Sequence, residues 1–343
     1  MYFTTIVGAT GVVGELILKL LEDRNFPVRR LRCFASPKSA GKSISFREEK
    51  IVLETLHPGC FDGADLAFFC AGSPVSKQWI PEARQAECFV IDSSSALRMN
   101  PEVPLVIPEI NGQGLSWEKG IAASPNCAAT MLLMPLFPLH RKWRAKRIVA
   151  ATYQAASGGG MALLRRLEEE TRASLAGQPI AHPLPYAFNL YPHNSPLLEN
   201  GYVEEEIKMI EETRKILGAP QLRMSATCVR VPVLRAHSVA ANIEFAQPFT
   251  LPEIYAELAK MPGLKLFENR KENRFATPFD ATDKNEVFCG RLRIDPSQPN
   301  TLEFWSVGDQ LLKGAALNAV QIAETVIGNR REAAAGRRDP GRG

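Results

Sequence analysis

The run Phe3–Val7 is apolar or β-branched throughout and stops at Gly8. From Glu15 the period changes, with Leu16 and Leu20, and Ile17 and Leu21, recurring four apart as the face of a helix does. The pattern predicts a strand, a tight glycine turn and a helix. Residues 31–35, 51–53, 65–70 and 89–92 read as further short strands, and residues 76–86 as a helix between the last two. Strands alternating with helices predict a parallel sheet covered by helices.

From Ile148 the rhythm differs. Residues 148–155, 224–233 and 239–245 are strand-like but are spaced by long helical stretches, notably 162–175 and 204–217, the latter placing Ile207, Ile210 and Ile216 on one side. This predicts a mixed α+β domain. Between those helices lies HPLPYAFNLYPHNSPLLENG, rich in Pro and aromatics and read as a packed loop rather than a linker. Residues 310–327 form a strongly apolar helix that returns to the first domain. The resulting division is residues 1–126 plus 308–328 as a dinucleotide-binding domain and 127–307 as a second domain, with 329–343 as a frayed basic tail.

Composition narrows the class. With 45% hydrophobic and 23% charged residues in 343, the chain has the balance of a globular protein large enough for two cores. Its formal charge of +4 is concentrated in the last fifteen residues, where five Arg face Glu332 and Asp339. The near-neutral remainder excludes the basic field that a nucleic-acid partner needs. Seven cysteines without a CxxC pair predict neither a disulfide framework nor a metal site, and reduced thiols in a cytoplasmic protein are expected. The first twenty residues have no basic leader and are interrupted by Gly and Glu15, so neither a signal peptide nor a membrane span is expected.

The glycine turn GATGVVG, with Gly8 and Gly11, follows the first strand directly, where a helix N-terminus offers free amides to a pyrophosphate. The second strand runs into Ser36-Pro37-Lys38-Ser39 with no acid to hold a ribose 2′-hydroxyl. Cations and hydroxyls there favour the 2′-phosphate of NADP over NAD, although a solvated polar loop would look the same. Cys127 falls in SPNC at the first turn of a mainly apolar helix, a position that lowers a thiol pKa and makes a nucleophile. The other cysteines sit mostly in apolar runs and read as inert.

The segments GATGVVG, ASPKSAGK, IDSSSALRM, SPNCAAT, TYQAASGGG, EEEIKM, TCVRVPVLRAHS, GRLRID and DQLLKGAALNAVQIAE, in this order, resemble the aspartate-β-semialdehyde dehydrogenase family over residues 3–327. The resemblance implies an α/β fold: a Rossmann-like NADP-binding domain followed by an α+β catalytic and dimerisation domain. It implies NADPH-dependent reduction of L-aspartyl 4-phosphate to the 4-semialdehyde through an acyl-cysteine, with release of inorganic phosphate, on the route to lysine, diaminopimelate, threonine and methionine. A homodimer or homotetramer is implied; neither nucleic acid nor membrane is expected as a partner, and no metal is called for.

Residue by residue, the resemblance makes Cys127 the nucleophile, His237 the general acid/base and Gln154 the group that orients the substrate. Asn126 contacts substrate, Arg230 grips its carboxylate, Glu205 and Lys208 take the amino end and phosphate, and Arg98 is the other phosphate ligand. Thr10, Gly11, Val12, Val13, Lys38, Ser39, Ser157, Gly158 and Gln310 match cofactor contacts. The chain departs from the frequent family pattern at Lys38 (Arg), Gln310 (Asn) and Ser93 (Asn).

The residue types suit the chemistry. A thiolate attacks the acyl phosphate, hydride converts the thioester to a thiohemiacetal, and a nearby imidazole handles one proton. A guanidinium matches a carboxylate. Each also has a plainer reading: Glu205 and Lys208 as a surface pair, Arg230 paired structurally, His237 ending a strand. Two other functions stay open at this stage, N-acetyl-γ-glutamyl-phosphate reductase and a non-catalytic NADP-binding paralogue. The glutamate argues against the first, because an acetylated substrate has no free amine, and the intact set of site residues argues against the second.

Overall fold

The structure, a computed structural model, describes residues 1–336. It divides into two compact units, Met1–Pro125 joined by the stretch from Ala315 onward, and Asn126–Gly314.

The first unit alternates strand and helix: β1 (Tyr2–Val7), α1 (Val12–Asp23), β2 (Val28–Phe34), β3 (Ser43–Phe46), β4 (Glu49–Glu54), β5 (Leu66–Phe69), α2 (Ser73–Gln85), β6 (Phe89–Asp92), a short α3 (Pro108–Asn111) and β7 (Ile121–Ala123). The strands form one sheet in the order β3-β4-β2-β1-β5-β6-β7, parallel except for the β3–β4 hairpin. β1 is central, and all of Phe3–Val7 is buried, as expected of a strand covered on both faces. α1 buries Ile17, Leu20 and Leu21 as their spacing foretold, and Leu18 beside them, while Leu16 is only half-buried. The order reverses between β1 and β5, the topological switch point where open α/β sheets bind ligands. β3 and β7 escape the sequence reading, because SISF is polar on alternate residues and IAA is too short to show a period.

The second unit contains α4 (Cys127–Trp143), β8 (Ala145–Gln154), α5 (Gly160–Leu175), β9 (Tyr191–Pro192), α6 (Glu204–Leu217), β10 (Arg223–Arg230), β11 (His237–Phe245), α7 (Leu251–Leu258), β12 (Leu264–Leu266), β13 (Glu268–Asn269), β14 (Arg274–Phe275), α8 (Pro278–Ala281), β15 (Val287–Ile294) and β16 (Thr301–Gly308). Its main sheet has the order β12-β15-β16-β11-β8-β10-β9 and is mixed. β10 lies parallel to β8, while β11 lies antiparallel to both β8 and β16. The long strands β15 and β16 have no counterpart in the sequence reading. The segment at 181–200 is packed in part as expected: Tyr186 and Tyr191 are buried against Ala156 and Leu167.

The last helix differs from expectation at both ends. Residues 309–314 belong to the second unit, and a π-helical turn (Leu312–Ala316) precedes α9 (Leu317–Gly336), so the return to the first unit starts at Ala315 rather than 308. α9 packs on α1, where Glu324 makes a bidentate pair with Arg24 at 2.7 Å. The expected frayed tail is helical to Gly336, since Asn329 donates to the carbonyls of Gly112 and Leu115 and Arg330 stacks 4.3 Å from the Trp117 ring centroid. Residues 337–343 of that tail lie outside the described residues.

Candidate active site

One edge of the second sheet collects the chemistry because of its register. β8 and β10 run the same way, so their last residues, Gln154 and Arg230, stand side by side. β11 runs the other way, so its first residue, His237, comes to the same edge, opposite Gly308 of β16. Residues distant in sequence thus share one rim, and the cause is strand direction.

Cys127 is the first residue of α4. Asn126 caps that helix, its side-chain oxygen accepting from the amides of Ala128 (2.9 Å) and Ala129 (3.1 Å). Its amide nitrogen is turned the other way and donates to Glu205 Oε1 at 2.7 Å. The sequence reading gave Asn126 a substrate contact; its side chain serves as the cap and as a clamp on Glu205. Cys127 is partly exposed, whereas Cys33, Cys60, Cys88, Cys228 and Cys289 are buried. Burial pushes the thiols of Cys33, Cys70, Cys88 and Cys228 up to about 12, and raises Cys60 and Cys289 as well. A thiolate at neutral pH is therefore denied to all six alternatives.

α6 carries three glutamates in its first turn and Arg214 and Lys215 in its last, the distribution that suits its dipole, and Gly218 ends it. Glu205 turns inward and is buried. Besides Asn126, Gln154 Nε2 donates to its Oε1 at 3.2 Å, and its own backbone amide donates to Ser195 Oγ. Burial pushes the Glu205 carboxyl up; the adjoining His193 and the hydrogen bonds from Asn126 and Gln154 more than offset this and hold it below the ordinary carboxylate value. Lys208 lies on the same helix but pairs with Glu204 at 3.2 Å rather than with Glu205.

Arg230 is 6% exposed, donates to the Ala155 carbonyl at 3.3 Å, and has no carboxylate within 4 Å among the described residues. His237 is fully buried, and its Nδ1 accepts the Ala155 amide at 3.1 Å. That bond leaves Nε2 as the proton-bearing nitrogen of the neutral ring. Burial, then Arg230 and His193, keep this imidazole well below its ordinary pKa. Gly158 shows where both groups face: a Cβ there would stand 2.7 Å from His237 Nε2 and 3.3 Å from Arg230 Nη1. Only glycine leaves that space open. Ser157 beside it accepts a hydrogen bond from Gln310.

In the first unit, Gly8 takes φ +95° at the end of β1, the Gly11 amide donates to the Gly8 carbonyl at 3.0 Å, and α1 starts at Val12 with no side-chain cap, the kind of helix N-terminus whose amides suit an anion. Ser36, Lys38 and Ser39 form a turn beyond β2, closed by the Ser39 amide on the Ser36 carbonyl at 2.9 Å. The acid nearest the end of β2 in the sheet, Glu54, is bound by Arg32 at 3.0 Å and so is occupied. Thr10 and Gly11 are exposed in the turn. These residues fit a phosphorylated dinucleotide. Arg98 also belongs to this unit, buried in the segment after β6 and donating to the Ser93 carbonyl at 3.0 Å.

Three polar residues of the second unit have no place in the sequence reading. Glu212 is buried two turns along α6 from Glu205 and accepts the Asn126 amide at 2.5 Å; that seven-residue spacing was its only signal. Ser195 and His193 come from the aromatic loop, His193 Nδ1 lying 3.1 Å from Ser195 Oγ. Burial and Arg230 pull the His193 pKa down to about 4. Nothing in the local sequence distinguishes this histidine from a surface one.

A nucleotide-type glycine turn in a Rossmann-like first unit, followed by a second unit that gathers carboxylate, guanidinium and imidazole at one sheet edge, marks the chain as an NAD(P)-binding oxidoreductase. Family models agree: semialdehyde dehydrogenase, NAD binding domain, matches residues 4–117, and semialdehyde dehydrogenase, dimerisation domain, matches residues 136–313. The aspartate-semialdehyde dehydrogenases of Synechocystis sp. and Prochlorococcus marinus are 50% and 47% identical over 94% of this chain and 96% and 95% of theirs. The structure of aspartate semialdehyde dehydrogenase II complexed with ASA from Vibrio cholerae superposes with a TM-score of 0.91 at 35% identity, covering 95% of this chain and 98% of that one. The chain belongs to the aspartate-semialdehyde dehydrogenase family.

Proposed function

We propose that the protein reduces L-aspartyl 4-phosphate to L-aspartate 4-semialdehyde with NADPH, releasing inorganic phosphate, and that Cys127 carries the acyl group. The observation that carries this reading is Arg230: a buried guanidinium with no carboxylate within 4 Å among the described residues, facing the same opening as His237. An isolated buried charge is costly, and a substrate carboxylate relieves it with bidentate geometry. Glu205, held ionised, offers the opposite charge to the substrate ammonium. Lys208 and Arg98 are the proposed phosphate ligands. A free α-amino acid suits this set, whereas an N-acetylated substrate would leave Glu205 facing a neutral amide.

The sulfur of Cys127 attacks the acyl carbon and phosphate leaves. NADPH, when bound, would supply the hydride that reduces the resulting thioester. Gln154 orients the acyl group, and His237 shares its Nε2 proton with the oxygen that gains charge, recovering it when the thiohemiacetal collapses and the sulfur departs. Gly8, Thr10, Gly11, Val12 and Val13 are the proposed pyrophosphate cradle, and Ser36, Lys38 and Ser39 the 2′-phosphate site that favours NADP. Ser157 and Gly158 would adjoin the nicotinamide end.

No helix among the described residues is long and apolar enough to cross a membrane, and we place the enzyme in the cytoplasm. The match to a dimerisation domain, with Leu184, Phe188, Leu190 and Leu197 exposed along one segment of it, supports assembly as a homodimer or homotetramer.

The test runs the reaction backwards: phosphate-dependent reduction of NADP with aspartate semialdehyde, with NAD and N-acetylglutamate semialdehyde as controls. Activity with aspartate semialdehyde and NADP is expected. Activity confined to the acetylated aldehyde would overturn the assignment of Glu205.

A further inference from the structure

Two consecutive residues before His237 are held by two consecutive residues after β16. Arg235 Nε lies 2.8 Å from Asp309 Oδ2, whose carboxylate is fully buried, and Arg235 Nη1 lies 2.8 Å from Asp283. The Ala236 amide donates to Gln310 Oε1 at 2.8 Å. Gln310 in turn donates from Nε2 to Ser157 Oγ at 2.5 Å, so both ends of its side chain are engaged within the second unit. Ala236 is buried and adopts φ +73°, a left-handed conformation that costs an alanine about 1–2 kcal/mol and persists only when its surroundings impose it. The next residue is His237, whose ring Nδ1 accepts a hydrogen bond from the Ala155 amide.

We propose that Gln310 is a positioning residue for His237: by holding the Ala236 amide it keeps residue 236 left-handed and thereby aims Nε2 at the space beside Gly158. This is a different task from the cofactor contact that the family resemblance assigns to Gln310, and it rests on the reading of His237 as the proton-handling group. Without Gln310 the Ala236 amide is orphaned in a buried place and the residue relaxes toward an extended conformation. A glycine at 236 adopts positive φ without that penalty, which makes the device separable from any direct effect on cofactor.

The experiment compares Gln310→Ala with the double variant Gln310→Ala/Ala236→Gly, measuring kcat, the NADP Kd by fluorescence titration, and Tm. The proposal expects Gln310→Ala to lower kcat by about tenfold or more while NADP Kd stays within about twofold, and Ala236→Gly to recover much of the lost kcat without raising Tm to match. It is overturned if NADP Kd rises in proportion to the lost kcat, or if the second substitution recovers nothing. His237→Ala in the same series keeps the two readings apart. If it abolishes turnover while Gln310→Ala does not lower kcat, only this inference fails; if it leaves turnover intact, the reading of His237 fails and the inference with it.

Discussion

Asn126 and Glu205 meet at 2.7 Å, and through this one hydrogen bond the residue that caps the helix of Cys127 also fixes the carboxylate proposed to bind the substrate amine. One side chain thus couples the nucleophile's helix to the recognition group. Asn126→Ala should therefore cost about 1 kcal/mol of stability from the lost cap and, separately, raise the KM for aspartate semialdehyde. Denaturant unfolding and initial rates would check both. A stability loss with unchanged KM would confine Asn126 to capping.

The thiols differ sharply in setting. With six of seven raised by burial, one cysteine should react rapidly with iodoacetamide at pH 8, and peptide mapping should find it at Cys127. Saturating phosphate and NADP should slow that alkylation. Rapid labelling at Cys70, the other partly exposed thiol, would contradict the assignment.

Arg230 lacks an acid partner among the described residues, so its charge is retained against stability. Arg230→Met should raise Tm or leave it unchanged, while kcat/KM falls by about a hundredfold or more. A large fall in Tm would show instead that Arg230 braces the sheet edge through Ala155.

Three buried histidines, His140, His193 and His237, have folded pKa values below the ordinary one, in each case chiefly through burial. The unfolded chain binds protons at these sites from about pH 6.5 downward, while the folded chain does not until lower pH. Stability should therefore fall as pH drops below about 6.5, each site contributing up to about 1.4 kcal/mol per pH unit. Urea midpoints between pH 8 and 5 would test this, with His193→Gln expected to flatten the slope. A flat profile in the native protein would contradict the burial of these rings.

The first unit was largely legible because a central parallel strand and an amphipathic helix imprint their periods on the sequence, as residues 3–7 and 16–21 do. β3 and β7 were not, being polar-alternating or very short. In the second unit the site depends on strand direction: nothing in Gln154, Arg230 or His237 alone announces that β8 and β10 run one way and β11 the other. Local windows found α6 to its last residue, and family resemblance picked out the residues at the rim. Neither revealed His193 or Ser195, which reach the site only through tertiary packing, or Glu212, marked only by its seven-residue spacing from Glu205 on α6, or the φ of Ala236, an alanine in a conformation its residue type disfavours.

The central claim, an acyl group carried on Cys127, is tested most directly by mixing the enzyme with aspartate semialdehyde and NADP in the absence of phosphate. Thiolate addition and hydride transfer can proceed, but the thioester has no phosphate to release it. A burst of NADPH matching the concentration of active sites, with one aspartyl group found on Cys127 by mass spectrometry and none in Cys127→Ser, is the predicted result. Absence of a burst from folded enzyme that turns over normally once phosphate is added would contradict covalent catalysis at this cysteine.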